Sequence, residues 1–257
     1  MTLSSAQNAF HLEGQTALIT GGGTGLGFGI AQCFVAAGAK VVLVGRRHAE
    51  LERACTELGP AAHPLPGDVS DLKTLPRLID VAEQAVGPLA VLVNNAGIHL
   101  KKAAVETTDA EFAAVMQTHV AGAFALTREA GRRMVARKSG CILFTASMSS
   151  LMGIPLTVAY ATAKTAYLGL VRTLAVEWGI NGVRVNAIAP GWIQSEMLEK
   201  ALNGDPERRA RIVSRIPTHQ FGHPSDVGWA AVYLASPAAR YVNGVILPVD
   251  GGAAQSF

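Results

Sequence analysis

In the stretch SMSSLMGIPLTVAYATAK, Ser147 precedes Tyr160 by 13 residues and Lys164 follows Tyr160 by four. A hydroxyl, a phenol and an ammonium are together suited to move a proton on and off an alcohol oxygen. Free tyrosine, with a pKa of about 10, is ionised to only ~0.1% at pH 7. Lowering that value by ~3 units takes about 4 kcal/mol of preferential stabilisation of the phenolate, which nearby positive charge supplies. On a helix, residues i and i+4 share a face, so Tyr160 and Lys164 point the same way. Ser147 closes a strand-like run, and the loop after it is long enough to fold back over that face. Its hydroxyl would then orient a substrate oxygen.

A second feature lies upstream. The run ALITGGGTGLGFGIAQ packs six glycines into positions 21 to 29, between an apolar run and a helix-like run. N–H groups at a helix start are unpaired and attract an anion, and glycine lets the backbone approach a ligand closely. Three ligand classes compete for such a loop. A nucleoside-triphosphate loop needs Gly-Lys-Ser/Thr, and no lysine is present. A methyltransferase loop reads G-x-G-x-G, which Gly21, Gly23 and Gly25 satisfy, but the acids expected before it and after the next strand are replaced by Thr20 and by Gly45-Arg46-Arg47. The third pattern, T-G-x-x-x-G-x-G, is matched by Thr20, Gly21, Gly25 and Gly27.

With that third pattern and the Ser147–Tyr160–Lys164 set, the chain resembles the classical short-chain dehydrogenases/reductases from about Gly14 to Gly252. The resemblance implies hydride exchange between a nicotinamide dinucleotide and a secondary alcohol or ketone, with Tyr160 as acid/base, Lys164 lowering its pKa, and Ser147 orienting the substrate. It implies that Gly21, Gly23, Thr24, Gly25, Leu26 and Gly27 hold the pyrophosphate. Asp68 and Val69 in GDVSD resemble the adenine-contacting pair. In LVNNAG, Asn95, Ala96 and Gly97 would approach the cofactor while Asn94 braces the sheet. Tyr160 and Lys164 would also touch the nicotinamide ribose, and the turn of Pro190, Gly191 and Ile193 would meet the carboxamide.

The second strand bears on which dinucleotide is preferred. An acid at its end suits the ribose 2′-OH of NAD, whereas arginine suits a 2′-phosphate. Position 45 is glycine and Arg46 follows, which favours NADP(H); Thr24 offers no second basic contact in the loop. One departure from the family pattern stands in MQTHVAGAF. The family commonly has an asparagine at the place of His119, thought to hold a water that links the lysine to solvent. His119 either continues that relay through its two ring nitrogens or packs the helix. A relay would add an ionisation between pH 5 and 8.

Candidate substrate positions are His99, Met148, Ser149, Trp192, Gln194 and Met197. They mix apolar and polar groups and lack an obvious anion clamp. Similarity leans toward sugar, polyol or sugar-acid dehydrogenases of the gluconate 5-dehydrogenase type, with 3-oxoacyl-carrier-protein reductases nearly as similar. A rival of another class is a non-catalytic dinucleotide-binding redox sensor.

The elements that must position these residues follow one rhythm of β-branched run, turn and amphipathic helix. Strand-like runs fall at 17–20, 41–44, 91–93, 142–146, 183–188 and 245–249, with a weaker one at 61–66 that carries two prolines. Helix-like segments lie near 26–37, 48–58, 71–86, 108–137, 158–179 and 224–235. Alternation of this kind predicts an α/β fold: one doubly wound (Rossmann) domain over 14–257, with a parallel sheet of about seven strands and helices on both faces. Residues 1–13 read as an N-terminal extension, and 190–217 as an insertion covering the substrate.

Composition fits this picture. Nearly half the chain, 49%, is hydrophobic, enough for a sizeable core, and the net charge of +3 comes from scattered pairs rather than a basic stripe, so no nucleic-acid partner is expected. No apolar run is long enough for a membrane span. Cys33, Cys55 and Cys141 have no metal-ligand spacing, so no metal is expected; free thiols fit a reducing, cytoplasmic setting. The family resemblance implies a homotetramer built through 108–137, 158–179 and the last strand.

Overall fold

A computed structural model of the chain describes residues 9–195, 198–199, 202 and 204–256. Seven parallel strands form one sheet: β1 (Thr16–Thr20), β2 (Lys40–Gly45), β3 (Ala62–Pro66), β4 (Val91–Asn94), β5 (Gly140–Thr145), β6 (Val183–Pro190) and β7 (Ile246–Val249), in the order β3-β2-β1-β4-β5-β6-β7. Successive side chains of a strand point to opposite faces. Leu18, Val42, Leu92 and Ile142 enter one core, whereas Ala17, Ile19, Val41, Leu43, Val93 and Leu143 enter the other. Both faces are buried, which is why these strands read as unbroken apolar runs. Each fully buried Leu, Ile or Val contributes roughly 1.5–3 kcal/mol.

The helices cover both faces: α1 (Gly25–Ala36), α2 (His48–Leu58), α3 (Leu75–Val86), α4 (Asp109–Met116), α5 (Ala123–Ala136), α6 (Val158–Gly179), α7 (Pro206–Val213) and α8 (Pro224–Ala235). The proline-bearing strand does form. β3 lies at the sheet edge and pairs only with β2, a position where proline's missing N–H is tolerated.

Two boundaries differ from the sequence expectation. The helix expected over 108–137 is interrupted by a π turn, Gln117–Gly122, between α4 and α5. An inserted residue shifts the helical phase, but the segment HVAGAFAL is apolar or small nearly throughout, so the pattern does not reveal the shift. Before β1, Leu12 is fully buried and its N–H donates to the Ala37 carbonyl at 2.8 Å, so the N-terminal segment is tied to the domain from there.

β1 pairs with β2 on one side and β4 on the other, so the chain reverses its winding direction at the β1/β4 boundary. The crevice outside the C-terminal strand ends at such a point is where ligands bind in open α/β sheets. The glycine loop after β1 and the Asn95–Gly97 turn after β4 meet there. The segment following β6 packs over the same edge, where Trp192, Leu198, Leu202 and Ile216 form a small apolar cluster with Met148 and Phe221.

Candidate active site

The glycine loop requires its glycines at different atoms for different reasons. Gly21 and Gly25 have φ of +67° and +55°, the left-handed region. A Cβ on Gly27 would stand 2.2 Å from the Gly21 carbonyl oxygen and 2.6 Å from Asn95 Nδ2, so only glycine lets α1 approach the turn. A Cβ on Gly25 would meet nothing within 4 Å, which marks open space above the loop. Thr24 caps α1 in extended conformation without a side-chain bond to the helix N–H groups, and the first turn carries no acid. Its N–H groups therefore face a cradle suited to an anion. These residues fit a dinucleotide pyrophosphate. Gly23 is buried and Leu26 packs partly into the core beneath.

Asn95 does more bracing than the sequence suggests. Its Nδ2 donates to the Thr20 carbonyl at 2.9 Å, and the N–H groups of Asn95 and Ala96 both donate to Thr20 Oγ1 at 2.9 Å. The ends of β1 and β4 are thus locked together below the crevice. Asn94 donates to Thr127 Oγ1 at 2.9 Å, tying β4 to α5.

At the far end of the crevice, Arg46 is exposed and close enough to help hold the Asp68 carboxyl below the usual range, after two bonds from Ser70. Val69 is buried beside it. Sequence reasoning missed Arg47. Its Nη2 reaches Thr24 Oγ1 at 3.4 Å, so a second guanidinium does stand over the glycine loop, delivered from β2 rather than from the loop itself. The signal was the Arg46-Arg47 pair.

The catalytic candidates converge. Ser147, at the β5 end, is buried; its Oγ accepts from the Ser149 N–H at 3.1 Å, and its hydroxyl is near enough to the Tyr160 phenol to lower its pKa. Lys164, one turn further along α6, is buried and donates to the Thr145 carbonyl at 2.5 Å. Its Nζ lies 5.6 Å from the Tyr160 ring centroid. Burial pushes the Tyr160 phenol up while Ser147 pulls it down, and burial drives Lys164 down to about 7. The chain alone thus holds both groups toward their neutral forms, and a further positive charge in the site would favour the phenolate.

His119 sits in the π turn, 1% exposed. Its Nε2 lies 3.0 Å from the Ile98 N–H and 2.8 Å from the Ile98 carbonyl, while Nδ1 has no hydrogen-bond partner among the described residues. The imidazole covers Gly97, where a Cβ would fall 2.1 Å from its Cε1, and meets the Tyr160 ring edge-on at 5.6 Å. Burial and the Lys164 charge push its pKa down to about 4, so the ring is neutral throughout pH 5–8. It therefore adds no ionisation in that range. The His119 carbonyl accepts from the Tyr167 hydroxyl at 2.8 Å. Tyr167 is another residue that sequence reasoning missed, although it stands three positions after Lys164 on the same helical face.

Among the substrate candidates, His99 stacks on Tyr160 with ring centroids 4.8 Å apart; its outer edge is exposed, and desolvation of the inner face together with Lys101 lowers its pKa. Ser149 is buried, and its hydroxyl has no hydrogen-bond partner among the described residues. A hollow of about 530 Å3 runs along this loop, lined by Ser149, Leu151, Met152, Ile154 and Val158 among others. Met148 and Trp192 belong to the small cluster over the sheet edge, Gln194 is exposed, and Met197 lies outside the described residues. Pro190 ends β6, and the Gly191 N–H donates to the Val249 carbonyl at 3.0 Å. Ile193 bridges to Gly222 through its neighbours: Gln194 N–H bonds the Gly222 carbonyl and Gly222 N–H bonds the Trp192 carbonyl, so the N–H and C=O of Ile193 itself stay outside that pairing.

This fold and this Ser–Tyr–Lys geometry define a dinucleotide-dependent oxidoreductase. A family model described as Enoyl-(Acyl carrier protein) reductase matches residues 21–254. The chain belongs to the short-chain dehydrogenase/reductase family, enzymes that use a nicotinamide cofactor and act on CH–OH groups. It is 43% identical to galactitol 2-dehydrogenase (L-tagatose-forming) of Cereibacter sphaeroides over 96% of this chain and 97% of that one. It is 42% identical to 2-dehydro-3-deoxy-D-gluconate 5-dehydrogenase of Pseudoalteromonas atlantica, covering 95% and 97%. A crystal structure described as an NAD(P)-dependent gluconate 5-dehydrogenase from Beutenbergia cavernae, with NADP bound at low occupancy, superposes with a TM-score of 0.89 at 39% identity, covering 96% of this chain and all of that one. The protein is thus an oxidoreductase of secondary alcohols. No helix among the described residues is long and apolar enough to cross a membrane.

Proposed function

We propose that the protein is an NADP(H)-preferring dehydrogenase of a polyhydroxylated substrate, a sugar, polyol or sugar acid, and works as a homotetramer. The observation that carries the chemical part is the convergence on Tyr160 of Ser147, from the β5 end, and of the buried Lys164 one turn away, its Nζ 5.6 Å from the phenol ring centroid. In the oxidative direction the Tyr160 oxygen takes the substrate hydroxyl proton while Ser147 holds the same oxygen. The carbinol C–H bond breaks with its electron pair and a carbonyl forms. The oxidised nicotinamide ring supplies the hydride acceptor and a positive charge that favours the phenolate. Lys164 supports that phenolate from below and would hold the nicotinamide ribose. In reduction, Tyr160 returns the proton to the nascent alkoxide.

Arg46 and Arg47 support the NADP preference: two arginines follow β2, Arg47 reaches Thr24 of the glycine loop, and no acid stands at position 45. His99, against the reacting phenol, and Ser149, next to Ser147, support a polyhydroxylated substrate. The galactitol and gluconate-type activities of the relatives point the same way. Exposed Phe124 on α5 and Val176 and Ile180 at the end of α6 support self-association through those helices. Initial rates with hexitols, aldonates and a 3-oxoacyl thioester, each with NADP(H) and NAD(H), test the assignment. Turnover of a polyol or sugar acid with at least tenfold higher kcat/KM for NADP supports it. Faster reduction of the thioester, or an NAD preference, refutes the corresponding part. Binding of NADPH without turnover of any compound would identify a sensor instead.

A further inference from the structure

The geometry points to Tyr167 as a positioning residue that holds Lys164 in its charged, phenol-supporting place by offering its ring face to the ammonium and its hydroxyl to the π turn. This inference rests on Tyr160 and Lys164 being the acid/base pair.

Lys164 is buried, yet among the described residues its three N–H donors make only one hydrogen bond, to the Thr145 carbonyl. What surrounds it otherwise is aromatic. Its Nζ lies 5.0 Å from the Tyr167 centroid and 5.6 Å from the Tyr160 centroid, so the ammonium is held between two rings of its own helix, at i+3 and i−4. A ring face within about 6 Å attracts a cation, and the attraction is larger where water is excluded. Tyr167 itself is fully buried against Phe144, ring centroids 5.0 Å apart, so its plane is fixed by the core.

The Tyr167 hydroxyl is committed to the His119 carbonyl, and burial pushes its own ionisation upward, so it has no proton to trade. Its bond anchors the π turn that carries His119, whose imidazole Nε2 in turn bonds the Ile98 backbone, at its N–H or its carbonyl according to the tautomer, and packs against Gly97. One side chain thereby links the ammonium, the π turn and the crevice end of β4. The groups facing Lys164 are Tyr160 and Tyr167 from α6, neutral His119 from the π turn and the Thr145 carbonyl from β5. Ser147 and His99 reach it only through Tyr160.

The test is the pH profile of kcat for alcohol oxidation. Tyr167→Phe keeps the ring and removes the hydroxyl; fluorinated phenylalanines at 167 keep the shape and drain the ring face; Tyr167→Leu removes the ring. A weaker ring face makes charged Lys164 less favourable and leaves the Tyr160 phenolate less supported. The acid limb should therefore move to higher pH, stepwise with fluorination, by about half to one unit for the most fluorinated ring. Tyr167→Leu should show the same direction with kcat lowered about tenfold and KM little changed, and Tyr167→Phe should keep the wild-type limb. Coincident limbs across the fluorinated series overturn the inference, and since that series preserves shape it decides even where Tyr167→Leu does not fold. Tyr160→Phe is measured alongside: activity retained there defeats the acid/base pair itself, whereas activity lost there with an unmoved fluorinated series defeats only the role of Tyr167.

Discussion

Lys164 Nζ donates to the backbone carbonyl of Thr145 at 2.5 Å, joining the middle of α6 to the last residue of β5. Ser147 stands two residues beyond that strand end and Tyr160 one turn before that lysine, so this bond fixes the distance between the two groups proposed to hold the substrate oxygen. The lysine is thus structural tether and electrostatic support at once, and burial makes both roles costly.

That cost has a measurable sign. The folded pKa of Lys164, about 7, lies below the ordinary lysine value, so between pH 7 and about 10.4 the unfolded chain binds the extra proton and stability rises with pH. The difference corresponds to on the order of 4 kcal/mol when fully expressed. Lys164→Met should flatten that rise and leave the neutral-pH thermal midpoint unchanged or higher, while turnover falls at least ~100-fold. A midpoint several degrees lower would mean the tether outweighs the burial penalty.

His119 gives a second pH signature. Its folded value near 4 lies below the ordinary 6.5, so the native state binds fewer protons than the unfolded chain between those limits, and stability falls as pH drops from 6.5 to 4. The full effect is about 3 kcal/mol. Lowered carboxylates, Asp68, Glu83 and Glu111, take over only at the bottom of that window and below. Chemical denaturation of His119→Asn should lack the slope seen for the wild type between pH 5 and 6.5. An identical slope would place the imidazole in contact with solvent.

Two glycine substitutions should separate packing from ligand contact. Gly27→Ala drives a methyl into the Gly21 carbonyl and Asn95, and should destabilise the fold by about 2 kcal/mol or more. Gly25→Ala meets no protein atom and carries only the strain of its positive φ, roughly 1 kcal/mol, but intrudes on the open cradle. Calorimetry should therefore show Gly25→Ala weakening NADPH binding at least tenfold with a small loss of stability. Unchanged binding would move the pyrophosphate away from this loop.

The two arginines make a further prediction. Each charge-assisted bond to a 2′-phosphate contributes about 1.5–3 kcal/mol, or roughly 10–100-fold. Arg46→Ala and Arg47→Ala should each lower kcat/KM for NADPH by that factor and leave NADH within about threefold. Equal losses for both cofactors would assign the arginines to the structure of the α2 start, where Arg47 already lies 3.8 Å from Glu50.

How far the sequence revealed this site depends on whether a residue's role is local or assembled. Tyr160 and Lys164 were legible because helical spacing alone puts them on one face, and the glycine loop because strand, turn and helix follow one another directly. The buried strands β1 and β2 announced themselves by unbroken apolar runs, and even β3 was visible behind its prolines. The π turn was not legible, because the segment around it, HVAGAFAL, is apolar or small at nearly every position and so has no polar face whose phase shift would mark the extra residue. With it went the placement of His119 against Gly97 and Ile98, contacts that span 21 residues of chain. Arg47 was hidden for a similar reason: which of two adjacent arginines reaches Thr24 is set by how α2 leaves the strand. Tyr167 was missed because the partner of its hydroxyl is a carbonyl 48 positions away.

The central claim is that the Tyr160 phenol carries the proton exchanged with the substrate hydroxyl. The direct measurement is single-turnover oxidation by Tyr160→Phe, with NADP+ binding checked by calorimetry on the same sample. The account predicts cofactor affinity within a few-fold of wild type and hydride transfer slowed by at least ~100-fold, as loss of a general base requires. Hydride transfer at the wild-type rate in a folded, cofactor-binding Tyr160→Phe protein would contradict it.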